Sequence, residues 1–310
     1  QPDITAGSRH QRLTHLPLEA LDLRADRGLG HPLTLRRPRE TAFLHNGDEI
    51  LELAKLHNLS LSSTKDICIG LIDTARRTLG TEGGPTMSTY VLVPGMCHGA
   101  WCFDDLAASL RAAGHHVLAL TLTGVAERSH LLRGAVNLDT HITDVLATLD
   151  NDTAADDDLI LVGHSYGGMV ITGVADRIPD RVDSLVFLDA VVPHDGEACW
   201  DLVNDEERQW YVAVDDTGFG VPPMAFFDDR ATSHPLATVL QPLRLTGDLN
   251  RFRQRVFVYA LDWPGDSPLR PSYERVRDDP AWAVHELDGK HNLMRDRPED
   301  LLRILGEVSL

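Results

Sequence analysis

The sequence predicts an α/β fold: a mostly parallel sheet with helices on both faces and one aromatic-rich insertion. Three observations carry this. From residue 88 onward, short runs of Val, Ile and Leu alternate with helical patterns. A serine between glycines, GHSYG (163–167), sits where one such run gives way to a helix. Residues 193–250 then interrupt the alternation. Strands that read as continuous apolar runs are buried on both faces, as in a parallel sheet sandwiched by helices.

The elements follow in order. YVLVPG (90–95) is a strand and FDDLAASLRAAG (103–114) a helix ending at glycine. HVLALTL (116–122) is a strand and TDVLATLD (143–150) a helix. LILVG (159–163) leads into a helix from Ser165, and SLVFLDAVV (184–192) reads as one buried strand. RVFVYAL (255–261), helical SYERVRD (272–278), strand AVHELDG (283–289) and helix PEDLLRILGEV (298–308) complete the pattern. The interrupting segment holds Trp200, Trp210, Tyr211, Phe219, Phe226 and Phe227, and is expected to form a cap at about 193–250.

Residues 1–86 are a different kind of chain. They contain one aromatic residue, Phe43, too little for a core. Helices are expected at 48–57 and 63–80, the second opened by Ser63 and Asp66 and stopped by Gly80. TEGGPT (81–86) is a linker by composition. The division is therefore an N-terminal extension, 1–86, and a main domain, 87–310. The extension carries 11 basic and 11 acidic residues, so the net charge of −18 belongs wholly to the main domain. An acidic surface repels phosphate backbones and anionic lipid, which argues against nucleic-acid and membrane partners. No stretch has the ~18 apolar residues of a membrane span. Cys68, Cys97, Cys102 and Cys199 form no CxxC pair, which points to reduced thiols and a cytoplasmic setting.

The serine has a chemical reading. Gly163-His164-Ser165-Tyr166-Gly167 matches G-x-S-x-G in the strand–turn–helix setting that motif requires. Such a turn lifts the hydroxyl above the sheet edge beside a helix N-terminus, and small flanking residues avoid collision with the neighbouring strand and helix. A serine needs a base to become nucleophilic. Of 15 histidines, His291 in ELDGKHNLM directly follows the last expected strand. His10, His57, His115 and His234 read as solvated or structural. An oxyanion hole needs two backbone N–H groups. Tyr166, after the serine, offers one, and Met96 in VPGMCHGAW (93–101) the other, with His98 and Trp101 bracing that loop.

VLVPGMCHGAWCFDDL, LTGVAERSHLL, VGHSYGGMVITGVADRIPDRVDSLVFLDAVVP and ELDGKHNLMRDRPEDLL together resemble the α/β-hydrolase branch of plant methylesterases and hydroxynitrile lyases, with bacterial esterase relatives. The resemblance spans 88–310 and leaves out 1–86. It implies an α/β-hydrolase fold that needs no cofactor or metal, with an apolar pocket under a small cap. By position it makes Ser165 the nucleophile, His291 the base, and Met96 and Tyr166 the oxyanion amides.

Two acids compete for the third place. The plant enzymes carry their Asp shortly after the penultimate strand, where Asp262 and Asp266 stand here, but Trp263 falls close to the expected position. Asp189 in VFLDAVVP, at the end of the strand that follows the nucleophile, is the alternative. A carboxylate among apolar residues needs a partner, and a histidine N–H would supply it. Asp189 is preferred, with Asp262 second.

The lyases of this branch have a Lys after the catalytic His and a Thr in the oxyanion loop. Here Asn292 follows His291, Lys290 precedes it, and Met96 occupies the loop. Epoxide hydrolases and dehalogenases want Asp in place of Ser165. The expected activity is therefore a carboxylesterase acting on small or medium hydrophobic esters, methyl esters included. A receptor-like binding protein and a lyase or cyclase are the alternatives. The expected partner is a small ester, and a homodimer is compatible with the chain.

Overall fold

The computed structural model describes residues 87–154 and 157–309. The helices expected at 48–57 and 63–80, and the whole extension, lie outside the described residues. Six parallel strands form the sheet: β1 (Thr89–Val93), β2 (His116–Ala119), β3 (Leu159–His164), β4 (Val182–Leu188), β7 (Gln254–Ala260) and β8 (Ala283–Leu287). Their order is β2-β1-β3-β4-β7-β8. Between β4 and β7 a two-stranded antiparallel ribbon, β5 (Gly220–Val221) and β6 (His234–Pro235), pairs Val221 with His234.

Each face of the sheet buries its own cluster, because side chains alternate along a strand. Tyr90, Leu92, Ile160, Val162, Val186, Leu188, Val256 and Val258 face one way. They pack on helices α1 (Asp104–Ala112) and α8 (Pro298–Val308). Helix α8 presents Leu301, Ile304, Leu305 and Val308, and the Tyr90 hydroxyl donates to the Leu305 carbonyl at 2.6 Å. Val91, Val93, Leu161, Leu185, Phe187 and Phe257 face the other way, against α2 (Leu138–Asp152) and α3 (Gly167–Arg177). The insertion carries α4 (Asp205–Val212) and the short α5 (Ala237–Leu240). Helix α6 (Arg270–Val276) and the single turn α7 (Leu293–Asp296) flank β8.

Three boundaries differ from the sequence reading by three residues or more. Helix α2 starts at Leu138, five residues early. Asn137 accepts from the Thr140 amide at 3.1 Å while Thr140 Oγ1 accepts from the Asn137 N–H, a reciprocal cap that N-x-x-T does not advertise as S-x-x-E would. Strand β2 ends at Ala119, since Thr121 Oγ1 accepts from the Ala100 amide and Thr123 pairs with Asp144. Strand β4 stops at Leu188 instead of running to 192, because Asp189 has a φ of 41° and leaves the pleat.

Candidate active site

Among the described residues, four that are not glycine have left-handed backbones: Cys97 (φ 66°), Ala126 (47°), Ser165 (55°) and Asp189 (41°). Such conformations cost about 1–3 kcal/mol each and persist where the surroundings over-determine them. Two of the four, Ser165 and Asp189, end adjacent parallel strands. The Ser165 N–H donates to the Leu188 carbonyl at 3.3 Å. The Ser165 carbonyl accepts from Gly168 at 3.1 Å and Val191 at 3.2 Å. The Asp189 N–H donates to Val258 at 2.7 Å.

The small residues around the serine are required by close approach. A Cβ on Gly167 would lie 2.5 Å from the Val93 carbonyl oxygen, and one on Gly163 would lie 2.7 Å from the Gly167 backbone. Helix α3 begins immediately after Tyr166, so its first amides lie beside the Ser165 side chain and favour negative charge there.

His291 lies between β8 and α7. Its Nδ1 is 2.7 Å from Oδ2 of Asp189, a residue with no exposed surface. An ionised carboxylate only accepts, so His291 Nδ1–H donates and Nε2 keeps its lone pair. The other Asp189 oxygen accepts from the Ala260 amide at 3.3 Å. Asp262 is elsewhere: its amide donates to Gly289 at 3.0 Å and its side chain is exposed. Trp263 stands edge-on to the His291 ring at 4.9 Å, taking up the space on that side. Lys290 is exposed, and Asn292 accepts from the Arg295 amide, capping α7.

Four further buried histidines pack around His291, Tyr166 and the Met96 loop; the sequence leads one to expect His98 in its loop and His234 as solvated or structural, but singles out neither His141 nor His164. His164 Nε2–H donates to the His291 carbonyl at 3.0 Å, with the two rings 4.5 Å apart. His141 Nε2–H donates to the Thr123 carbonyl at 2.8 Å, and its Nδ1 accepts from the Tyr166 hydroxyl at 3.0 Å. His234 Nδ1 accepts from the Cys97 amide at 3.3 Å. His98 Nδ1–H donates to the Met96 carbonyl at 2.7 Å, and its ring packs on Trp101 and Phe227, so this histidine does brace its loop. Burial holds all four below the usual imidazole range. His141 is lowered to about 4, and His164 and His234 lie well below the ordinary value. Glu207 in α4 moves the opposite way: burial pushes its carboxyl up to about 7, against the pull of His291.

The backbone N–H groups of Met96 and Tyr166 have no partner among the described residues. A Cβ on Gly95 would lie 2.8 Å from the Ser165 Cβ, which fixes how closely the Met96 loop approaches the serine. Among the described residues no group of three or more His, Cys, Asp or Glu side chains is placed to hold a metal, and no helix is long and apolar enough to cross a membrane.

Residues 90–304 match the profile of the Alpha/beta hydrolase family. The chain belongs to that family. This alpha/beta hydrolase is similar to a carbendazim hydrolyzing esterase from Nocardioides sp. (strain SG-4G), with 40% identity over 72% of this chain and 100% of the relative. It is also similar to methylesterase 7 of Arabidopsis thaliana, with 35% identity over 71% of this chain and 95% of that one. These full-length likenesses to esterases make it a carboxylic ester hydrolase. Among solved structures, the pyrethroid hydrolase PytH superposes with a TM-score of 0.60 at 21% identity, covering 72% of this chain and 98% of that one. An extracellular alpha/beta-hydrolase from a Paenibacillus species gives 0.57 at 21%, over 71% and 98%. At these identities the structures speak to fold alone.

Proposed function

We propose that the chain cleaves small or medium hydrophobic carboxylic esters, methyl esters included, through a Ser165–His291–Asp189 triad and an acyl-enzyme. The observation that carries this is the 2.7 Å contact between His291 and the buried Asp189, one strand away from the Ser165 turn. That methyl esters are included is supported by the relative named a methylesterase.

Each step follows from the groups present. Ser165 Oγ attacks the ester carbonyl as His291 Nε2 takes its proton. Asp189 keeps the imidazole in the tautomer with Nε2 free and stabilises the cation that forms. Negative charge grows on the former carbonyl oxygen, where the Met96 and Tyr166 amides supply preorganised donors. The leaving alcohol departs with the proton from Nε2. Water then repeats the sequence on the acyl-enzyme and releases the acid. Asp262, exposed and apart from His291, takes no part.

The test is a stopped-flow assay with a chromogenic aryl acetate. The wild-type chain should show a burst of one phenolate per site. Ser165→Ala should show neither burst nor turnover, a loss of at least ~10⁴-fold. Undiminished turnover by Ser165→Ala would sink the proposal.

A further inference from the structure

The two remaining left-handed residues, Cys97 and Ala126, are held by a different part of the chain from Ser165 and Asp189. Cys97 directly follows Met96. Its N–H donates to His234 Nδ1 at 3.3 Å, its carbonyl accepts from the Thr232 amide at 3.1 Å, and its thiol donates to the Val221 carbonyl at 3.8 Å. All three partners lie in the insertion, two of them on the β5–β6 ribbon. Thr232 also takes the Ala126 amide on its hydroxyl at 2.6 Å, so one short strap ties down both strained loops.

His234 is itself fixed. It has no exposed surface, and Nε2–H donates to Thr238 Oγ1 at 2.8 Å, whose own O–H donates to the Pro235 carbonyl at 2.7 Å. That chain of donors settles the tautomer: Nδ1 must carry the lone pair that meets Cys97. The peptide unit joining Met96 to Cys97 is thus gripped at both ends, its oxygen by His98 and its nitrogen by His234. A peptide is planar, so fixing both polar atoms fixes the plane adjoining the Met96 amide.

We propose that His234, seated on Thr238, is a positioning residue for the oxyanion hole: it holds the Cys97 amide and thereby aims the Met96 N–H at the developing oxyanion. This rests on the serine-hydrolase reading above. The insertion then has a task in catalysis beyond covering the site, because it completes the hole from a distance of 137 residues along the chain. His234 does not touch substrate. Its loss should misdirect a donor needed chiefly in the transition state, which lowers kcat and leaves KM alone.

Three variants test this in the intact chain, with kcat normalised to sites titrated by the aryl-acetate burst. His234→Phe fills the space without an acceptor, and kcat should fall ~10–100-fold with KM changed less than ~3-fold, short of the ~10²–10³ for losing a donor outright. His234→Asn returns an acceptor near the Nδ1 position and should recover kcat to within ~5-fold of wild type. Thr238→Val preserves shape but frees the imidazole, and should lower kcat ~3–10-fold with KM unchanged; it reads the same effect if His234→Phe does not fold. An arylboronic acid, whose tetrahedral adduct places an oxygen in the hole, should bind less tightly to His234→Phe in the same proportion as kcat falls. Unchanged kcat per titrated site in both His234→Phe and Thr238→Val overturns the proposal, as does equal loss in His234→Phe and His234→Asn. If the wild-type chain itself gives no burst, the serine-hydrolase reading fails instead.

Discussion

Among the described residues, the strained non-glycine turns come in two pairs built by opposite means. Ser165 and Asp189 are held by the sheet: adjacent strands, a following helix and backbone hydrogen bonds within one tight cluster. Cys97 and Ala126 are held by Thr232 and His234, residues more than 100 positions away in the insertion. Each pair also recruits a neutral buried histidine. His164 secures the His291 carbonyl on the sheet side, and His234 secures the Cys97 amide on the strap side. The proposed nucleophile and its proposed acid thus depend on the frame of the domain, whereas the loop proposed to hold the oxyanion depends on Thr232 and His234 of the insertion.

Acidification strains both halves at once. His141, His164 and His234 have folded pKa values below their unfolded ones, so the stability they contribute is complete above about pH 6.5 and is lost as pH falls. Moving from pH 7.5 to 5.5 should cost about 1 kcal/mol per histidine, about 3 kcal/mol together, less an opposite contribution from Glu207. Urea titrations at the two values measure the difference, and a chain no less stable at pH 5.5 would mean these imidazoles are not buried neutral.

A change confined to the sheet-held pair comes next. Gly167→Ala drives a Cβ into the Val93 carbonyl of β1, and backbone on both sides cannot give way easily. A loss of about 2 kcal/mol is expected. The matching substitution on the strap side, Thr232→Val, leaves the Ala126 amide without its acceptor and should destabilise by about 1 kcal/mol. Equal losses at the two sites would erase the distinction between frame and strap.

An effect of similar size to that of Thr232→Val belongs to Glu207. Its folded pKa of about 7 lies above its unfolded one, so its charge opposes folding increasingly from about pH 4.5 to 7. Glu207→Gln should raise stability at pH 7.5 by about 1 kcal/mol, discounted for the partial exposure of this side chain, and steepen the decline on acidification. Thermal melts at both pH values read this directly.

The same division explains what the sequence discloses. Every strand of the main sheet, and the Ser165 turn, follow from local pattern: apolar runs, a helical stretch and glycines at 163 and 167 where neighbouring backbone crowds in. His291 is legible by its place after the last strand. Asp189 is harder, since it sits in what reads as an unbroken apolar strand; only the requirement that a buried carboxylate have a partner singles it out. His234 is legible only as a solvated or structural histidine, not as a partner of the Cys97 amide. It reads as one histidine among 15, and its partner amide belongs to a loop with no complementary pattern. Backbone-to-side-chain bonds across 137 residues leave no periodicity, so the strap emerges only from the folded chain.

The proposed triad turns on which of two acids orients His291. The most direct measurement is kcat for aryl-acetate hydrolysis by Asp189→Asn and Asp262→Asn, each normalised to titrated sites. A buried acid that fixes the His291 tautomer predicts a loss of ~10³–10⁴-fold for Asp189→Asn and a change under ~3-fold for Asp262→Asn. Near-normal turnover by Asp189→Asn, with activity lost instead in Asp262→Asn, would contradict the triad proposed here.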